Sequence, residues 1–155
     1  MATNDGRDDV GISSDDEQTH DDMQECIEEC LNCHAVCTMT LQHCIASGGD
    51  RTEVNLIGIL LDCAELAQVS ANFMLRGSPY HVITCGACAE LCRACEEACR
   101  DVTGDEQLTH CADVCASCAQ ACDRIPFAVL SIGGHGDAGC WKPAQTPMSS
   151  SHSSG

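Results

Sequence analysis

Four cysteines fall within twelve residues at Cys26, Cys30, Cys33 and Cys37, and Cys44 follows seven positions later. At 100 degrees per residue on a helix, those five thiols share one stripe about 60 degrees wide. The pattern recurs at Cys85, Cys88, Cys92, Cys95 and Cys99, and again at Cys111, Cys115, Cys118 and Cys122. Those sets span about 80 and about 60 degrees by the same count. Cys63 stands in line with Leu56, Leu60, Ala67 and Met74 on another apolar segment. Soft thiolates select Cu(I), Zn(II) or iron–sulfur clusters.

These stripes need elements to carry them. Helical periodicity begins near Thr19 and runs to Ile45, where Ser47, Gly48 and Gly49 supply a stop. A second, very apolar segment covers about 52–76. Ser78 and Pro79 signal the start of a third helix over about 79–101, and Asp105 can cap a fourth that ends near Arg124, before Pro126. Polar residues such as Glu28, Asn32, Glu90, Arg93, Glu97, Asp113 and Gln120 lie opposite the thiols, so the cysteine stripes point inward. The expected fold is all-α, an antiparallel up-down-up-down four-helix bundle with a cysteine-lined core over 19–125. An acidic, disordered arm over 1–18 precedes it, and a Gly/Ser/Pro-rich tail over 126–155 follows, in which Phe127, Val129, Leu130 and Trp141 can dock.

Composition narrows the partners. Seven Lys and Arg against 24 Asp and Glu give a net charge of -17, which repels nucleic acid and anionic membranes. The apolar stretches read as too short and interrupted to span a bilayer. With no secretory leader evident, the expectation is a cytoplasmic protein with reduced thiols. One Trp, one Tyr and two Phe leave little aromatic bulk for a core that has 16 Cys available.

Disulfides fit poorly, because cysteines three or four apart on a rigid helix sit near the long limit for bridging. Residues at i and i+4 have Cβ atoms about 5–6 Å apart, and two thiolates in line with one metal are about 4.6 Å apart, so each CxxxC can clamp one two-coordinate ion. Zinc in Cys₄ sites carries a charge of about -2 per site, which is costly in a dry bundle. Multiple Cu(I) ions, at nearly one per thiolate, leave the core close to neutral. The rival is an iron–sulfur electron-transfer protein, although such clusters usually sit in loops. A thiol-based redox enzyme would single out one cysteine beside a base, and none is singled out here, so no enzymatic role is expected.

The cysteine stripes, together with LLDCAEL (60–66), SANFMLRGSPYH (70–81), CGACAELCRACEEAC (85–99) and CADVCASCAQAC (111–122), resemble the four-helix-bundle copper storage proteins, cytosolic branch. The resemblance spans about 19–125 and implies a non-enzymatic bundle that sequesters Cu(I) in its core and associates as a homotetramer, with a copper chaperone or copper enzyme as acceptor. It departs at Ala67, where a second helix-two cysteine is expected. The candidate ligands are the fifteen bundle cysteines and His110, which adjoins Cys111. His20, Met23, Met74 and His81 are expected at one bundle end, as softer exchangeable ligands or as packing residues. His43, Cys44, Cys99, His110 and Cys111 are expected at the other, with Leu41, Leu56 and Leu60 as an apolar plug. His34 is expected to face solvent, and Cys140 to be a free thiol in the tail.

Overall fold

The computed structural model describes residues 14–125. Over them the chain forms α1 (Ser14–Ser47), a short 3₁₀ turn (Gly49–Thr52), α2 (Val54–Leu75), α3 (His81–Asp101) and α4 (Glu106–Arg124), with no strand among the described residues. Each helix packs on its two neighbours in a ring, α1 on α2, α2 on α3, α3 on α4 and α4 on α1. Facing positions run in opposite senses. Cys26 of α1 meets Cys122 of α4, whereas Cys37 meets Cys111. Cys63 of α2 meets Cys92 of α3, whereas Met74 meets Cys85. The bundle is therefore antiparallel across these seams.

Its core is dominated by Cys and Ala, with Leu60 and Leu108 the bulkiest fully buried side chains and no buried aromatic among the described residues. The expected tail and its docking residues, with Cys140, lie outside the described residues, as do positions 1–13 of the expected arm.

Two helix starts differ from the expected ones. Residues 14–18, expected in the arm, form the first turns of a 34-residue α1. They are exposed and leave no apolar period, yet Asp15, Asp16 and Glu17 suit the positive end of the helix dipole. α3 begins at His81, later than the Ser78–Pro79 signal, because Gly77 at φ 66 closes α2 in a Schellman motif. In it Ser78 N donates to Phe73 O at 3.0 Å and Gly77 N to Met74 O at 2.9 Å, and residues 78–80 are used in the turn.

α2, read as too interrupted to cross a bilayer, is in fact long and apolar enough to do so by length and composition. Its only charged residues are Asp62 and Glu65. Its buried face is Leu56, Leu60, Cys63, Ala64, Ala67, Ser70, Ala71 and Met74, which makes it one wall of the bundle.

One buried carboxylate fastens the end where α1 leaves and α4 begins. Asp105 caps α4 through Gln107 N and Leu108 N at 3.0 and 3.1 Å. Its other oxygen accepts from His43 Nε2 at 2.9 Å and pairs with Arg51 of the 3₁₀ turn. Beside it Gln107 Nε2 donates to the buried Thr40 hydroxyl, which donates to Val36 O. Arg93 and Arg100 link α3 to Asp123 and Asp113 of α4, and Arg124 links α4 to Glu25 of α1. Those exposed pairs are screened by solvent and add little.

Asp105 is held well below the usual carboxylate range, first by His43, then by the Leu108 amide and Arg51, against its burial. A lowered folded pKa contributes stability above the unfolded value of about 3.9, lost as pH falls through the folded value. Asp105→Ala should cost about 1–2 kcal/mol in denaturant melts at neutral pH. Asp105→Asn, which keeps a capping oxygen, should cost less and flatten the loss of stability of the metal-free protein below about pH 5.

Candidate metal centre

Each cysteine stripe lands where its helical angle put it: all fifteen cysteines of the bundle are buried and free. Thirteen of them form a continuous chain of sulfur along the axis. Cys26 and Cys30 each lie 3.7 Å from Cys122, and Cys118 lies 3.8 Å from Cys30. In the middle, Cys33 is 3.8 Å from both Cys63 and Cys92, which are 3.6 Å from each other. Cys33 and Cys92 stand on diagonal helices, so a sulfur–sulfur contact joins α1 to α3 across the axis. Further along, Cys37 is 3.7 Å from both Cys111 and Cys115.

The i,i+4 pairs Cys33–Cys37 and Cys88–Cys92 stand at 3.9 and 3.8 Å. A linear two-coordinate ion needs them to part by less than about 1 Å.

Five sets of three or four thiols have sulfurs mutually within 4.8 Å: Cys30/Cys88/Cys118/Cys122, Cys33/Cys37/Cys63/Cys115, Cys37/Cys95/Cys111/Cys115, Cys26/Cys85/Cys122 and Cys33/Cys92/Cys118. The sets overlap at Cys33, Cys37, Cys115, Cys118 and Cys122. Overlap decides the chemistry, since separate tetrahedral sites need private ligands, whereas shared sulfurs suit bridging thiolates. Contacts of 3.6 to 3.9 Å between sulfurs also leave no chamber for an iron–sulfide cage.

No Lys or Arg is buried among the described residues, so nothing inside the bundle offsets a thiolate charge except a bound cation. Burial therefore favours the protonated thiol in its absence. Cys118 is pushed far up by Cys122, Cys30, Cys33 and Cys88 and by burial, and Cys115 likewise by Cys111, Cys33, Cys37 and Cys63. The Cys85 thiol rises to about 12 through Cys122 and burial, against an opposing contact with Cys26. Cys63 is drawn down instead, because Cys115, Cys33, Cys37 and Cys92 can donate to it.

The other residues singled out in the sequence separate into groups. Cys44 and Cys99 are buried but belong to none of the five sets, and burial followed by the Asp105 charge raises Cys44. His110 is exposed, in a surface recess with Asp105, Thr109 and Asp113. Leu56 and Leu60 are buried and Leu41 partly so. His20, Met23 and Met74 line one groove of about 410 Å³ with Ile27 and Leu75, but His81 does not; its Nδ1 pairs with Ser78 O at 2.7 Å. His34, expected to face solvent, is half-buried, with Nδ1 2.9 Å from Ala64 O, because its stripe angle turns it onto α2. Sequence reasoning missed Asp105 as a lock, since nothing local announces that His43 and Arg51 converge on it.

A helical bundle whose axis is lined by overlapping thiol sets is a multinuclear soft-metal-binding protein. The chain belongs to the copper storage protein family, whose model matches residues 19–126. Among similar solved structures is a Nitrosospira multiformis protein, 36% identical over 68% of this chain and 95% of its own, with TM-score 0.64. The Cu(I)-bound copper storage protein of Bacillus subtilis is 25% identical, covering 67% and 97%, with TM-score 0.64. A cytosolic copper storage protein from Streptomyces lividans, carrying five coppers, is 30% identical, covering 70% and 95%, with TM-score 0.61.

Burial predicts reactivity. In the reduced, metal-free protein the fifteen bundle thiols should react with an aromatic disulfide reagent at least about tenfold slower than after addition of denaturant, when all become available together. Stopped-flow absorbance with and without guanidinium checks this.

Proposed function

We propose that the protein is a cytoplasmic Cu(I) store with no enzymatic role, whose fifteen bundle cysteines take up ions as bridging thiolates. The observation that carries this reading is the overlap of the five thiol sets in a core without buried cationic side chains. A monovalent soft ion at close to one per thiolate neutralises such a core, whereas divalent ions in separate Cys₄ sites leave residual negative charge and compete for shared sulfurs. The Bacillus relative is Cu(I)-bound, and another structure of the Streptomyces protein is loaded with 10 copper equivalents. His110, exposed beside Cys111, is an outer ligand for copper arriving at that end. A copper chaperone or copper enzyme receives the ion. The resemblance supports a homotetramer, and the outward side chains Val54, Leu61, Val69 and Leu75 of α2 are apolar surface that such an assembly can cover.

Titrating reduced protein with Cu(I) against a competing chelator should give uptake well beyond four equivalents per chain with no visible colour. Saturation at about three or four equivalents contradicts storage, because that is the capacity of separate Cys₄ sites. Uptake should also release about one proton per thiol engaged, since the ligand is the thiolate. Affinity therefore falls as pH falls, and a pH-stat titration measures the protons directly.

A further inference from the structure

α2 contributes one thiol, Cys63, where each other helix contributes at least four. Seven residues beyond Cys63, and so about 20 degrees from it around the helix, stands Ser70. It is fully buried, and its hydroxyl is the one buried side-chain oxygen or nitrogen among the described residues with no hydrogen-bond partner. The other buried polar side chains differ: Thr40 is held by Gln107 and Val36, and Asp105 by four donors. An orphaned buried hydroxyl is destabilising unless some state of the protein satisfies it.

The antiparallel register shows what lies opposite. On α3, counting equal rise along antiparallel helices from the Cys63–Cys92 and Met74–Cys85 contacts places Ser70 between the levels of Cys85 and Cys88. On α1, the same count from the Cys33–Cys63 contact and from the groove that Met74 shares with Ile27 places Ser70 between the levels of Cys26 and Cys30. These levels hold two sets that share Cys122, Cys26/Cys85/Cys122 and Cys30/Cys88/Cys118/Cys122, to which α1, α3 and α4 give thiols and α2 gives none. Ser70 stands on the helix that walls these two sets, on the same buried face as Ala67 and Ala71.

We propose that Ser70 is a positioning residue where these two sets meet, its hydroxyl donating a hydrogen bond to a copper-bound thiolate of the Cys26/Cys85/Cys122 or Cys30/Cys88/Cys118/Cys122 set. The inference rests on the storage reading above. A neutral thiol is a weak acceptor, and a thiolate is a strong one. Metal-free protein leaves the hydroxyl unsatisfied, and loading supplies its acceptor. The role needs no metal–oxygen bond, which Cu(I) disfavours.

The test is Ser70→Ala, a near-isosteric change, read in two states. Without copper the variant should melt higher than wild type, because an unsatisfied polar group has been removed. Loaded with Cu(I), a subset of its ions should pass to a competing chelator about tenfold more readily, the loss of one charge-assisted hydrogen bond. A purely structural residue shifts both states the same way. Ser70→Cys supplies a further readout: a thiol at this position should raise the saturating Cu(I) count by about one.

Chelator competition that superimposes on wild type overturns the role, as does a metal-free variant that melts lower. Wild type that saturates at about three or four equivalents overturns the storage reading and this inference together. Wild type that fills normally beside an indifferent Ser70→Ala variant overturns only the latter.

Discussion

Sulfur packed against sulfur in a dry, cation-free interior governs this molecule. A thiol is a small hydrophobe when protonated and a costly buried anion when not. The bundle is thus compatible with its core in two conditions, with protons on the sulfurs or with soft cations between them. The absence of any buried Lys or Arg among the described residues removes a third option, neutralisation by the protein itself. The helices carry alanine where a conventional bundle would carry large aliphatic or aromatic side chains, and the scarce bulky residues, Leu60 and Leu108, do not interrupt the sulfur chain.

The two ends of the bundle are constructed differently. At one, Asp105 fastens α4, α1 and the 3₁₀ turn with a capped, ion-paired carboxylate, and Cys44 is buried nearby without joining a thiol set. At the other, Met23, Met74 and His20 line an open groove, and Met74 Sδ touches Cys85 Sγ at 3.7 Å. A locked polar end and a looser thioether end give the axis a polarity that the repeating cysteine pattern lacks.

α2 is the exceptional wall. Its outward face is nearly as apolar as its inward one, and its inner stripe replaces sulfur with Ala64, Ala67, Ser70 and Ala71. Having fewer thiols, it leaves the tier at Cys30 and Cys88 with ligands from three helices. The proposed storage function therefore rests on an asymmetric ligand shell inside a nearly symmetric scaffold.

Helical stripes were legible in the residues because angular position depends only on spacing along one element. Four helices, their inward faces and the burial of fifteen thiols followed from that local geometry. So did the Asp105 cap. Exposed turns without a period, such as 14–18, left no comparable signal, and His34 went astray because an angle near the edge of a stripe reads the same whether water or a neighbouring helix lies beyond it. Only the tertiary structure decided which sulfurs share a set, that His43 and Arg51 converge on Asp105, and that Ser70 falls between the levels of Cys26 and Cys30 with its hydroxyl unpartnered. Those facts belong to the axial register between helices, set by packing of residues far apart in the chain, and spacing within a single helix carries no information about it.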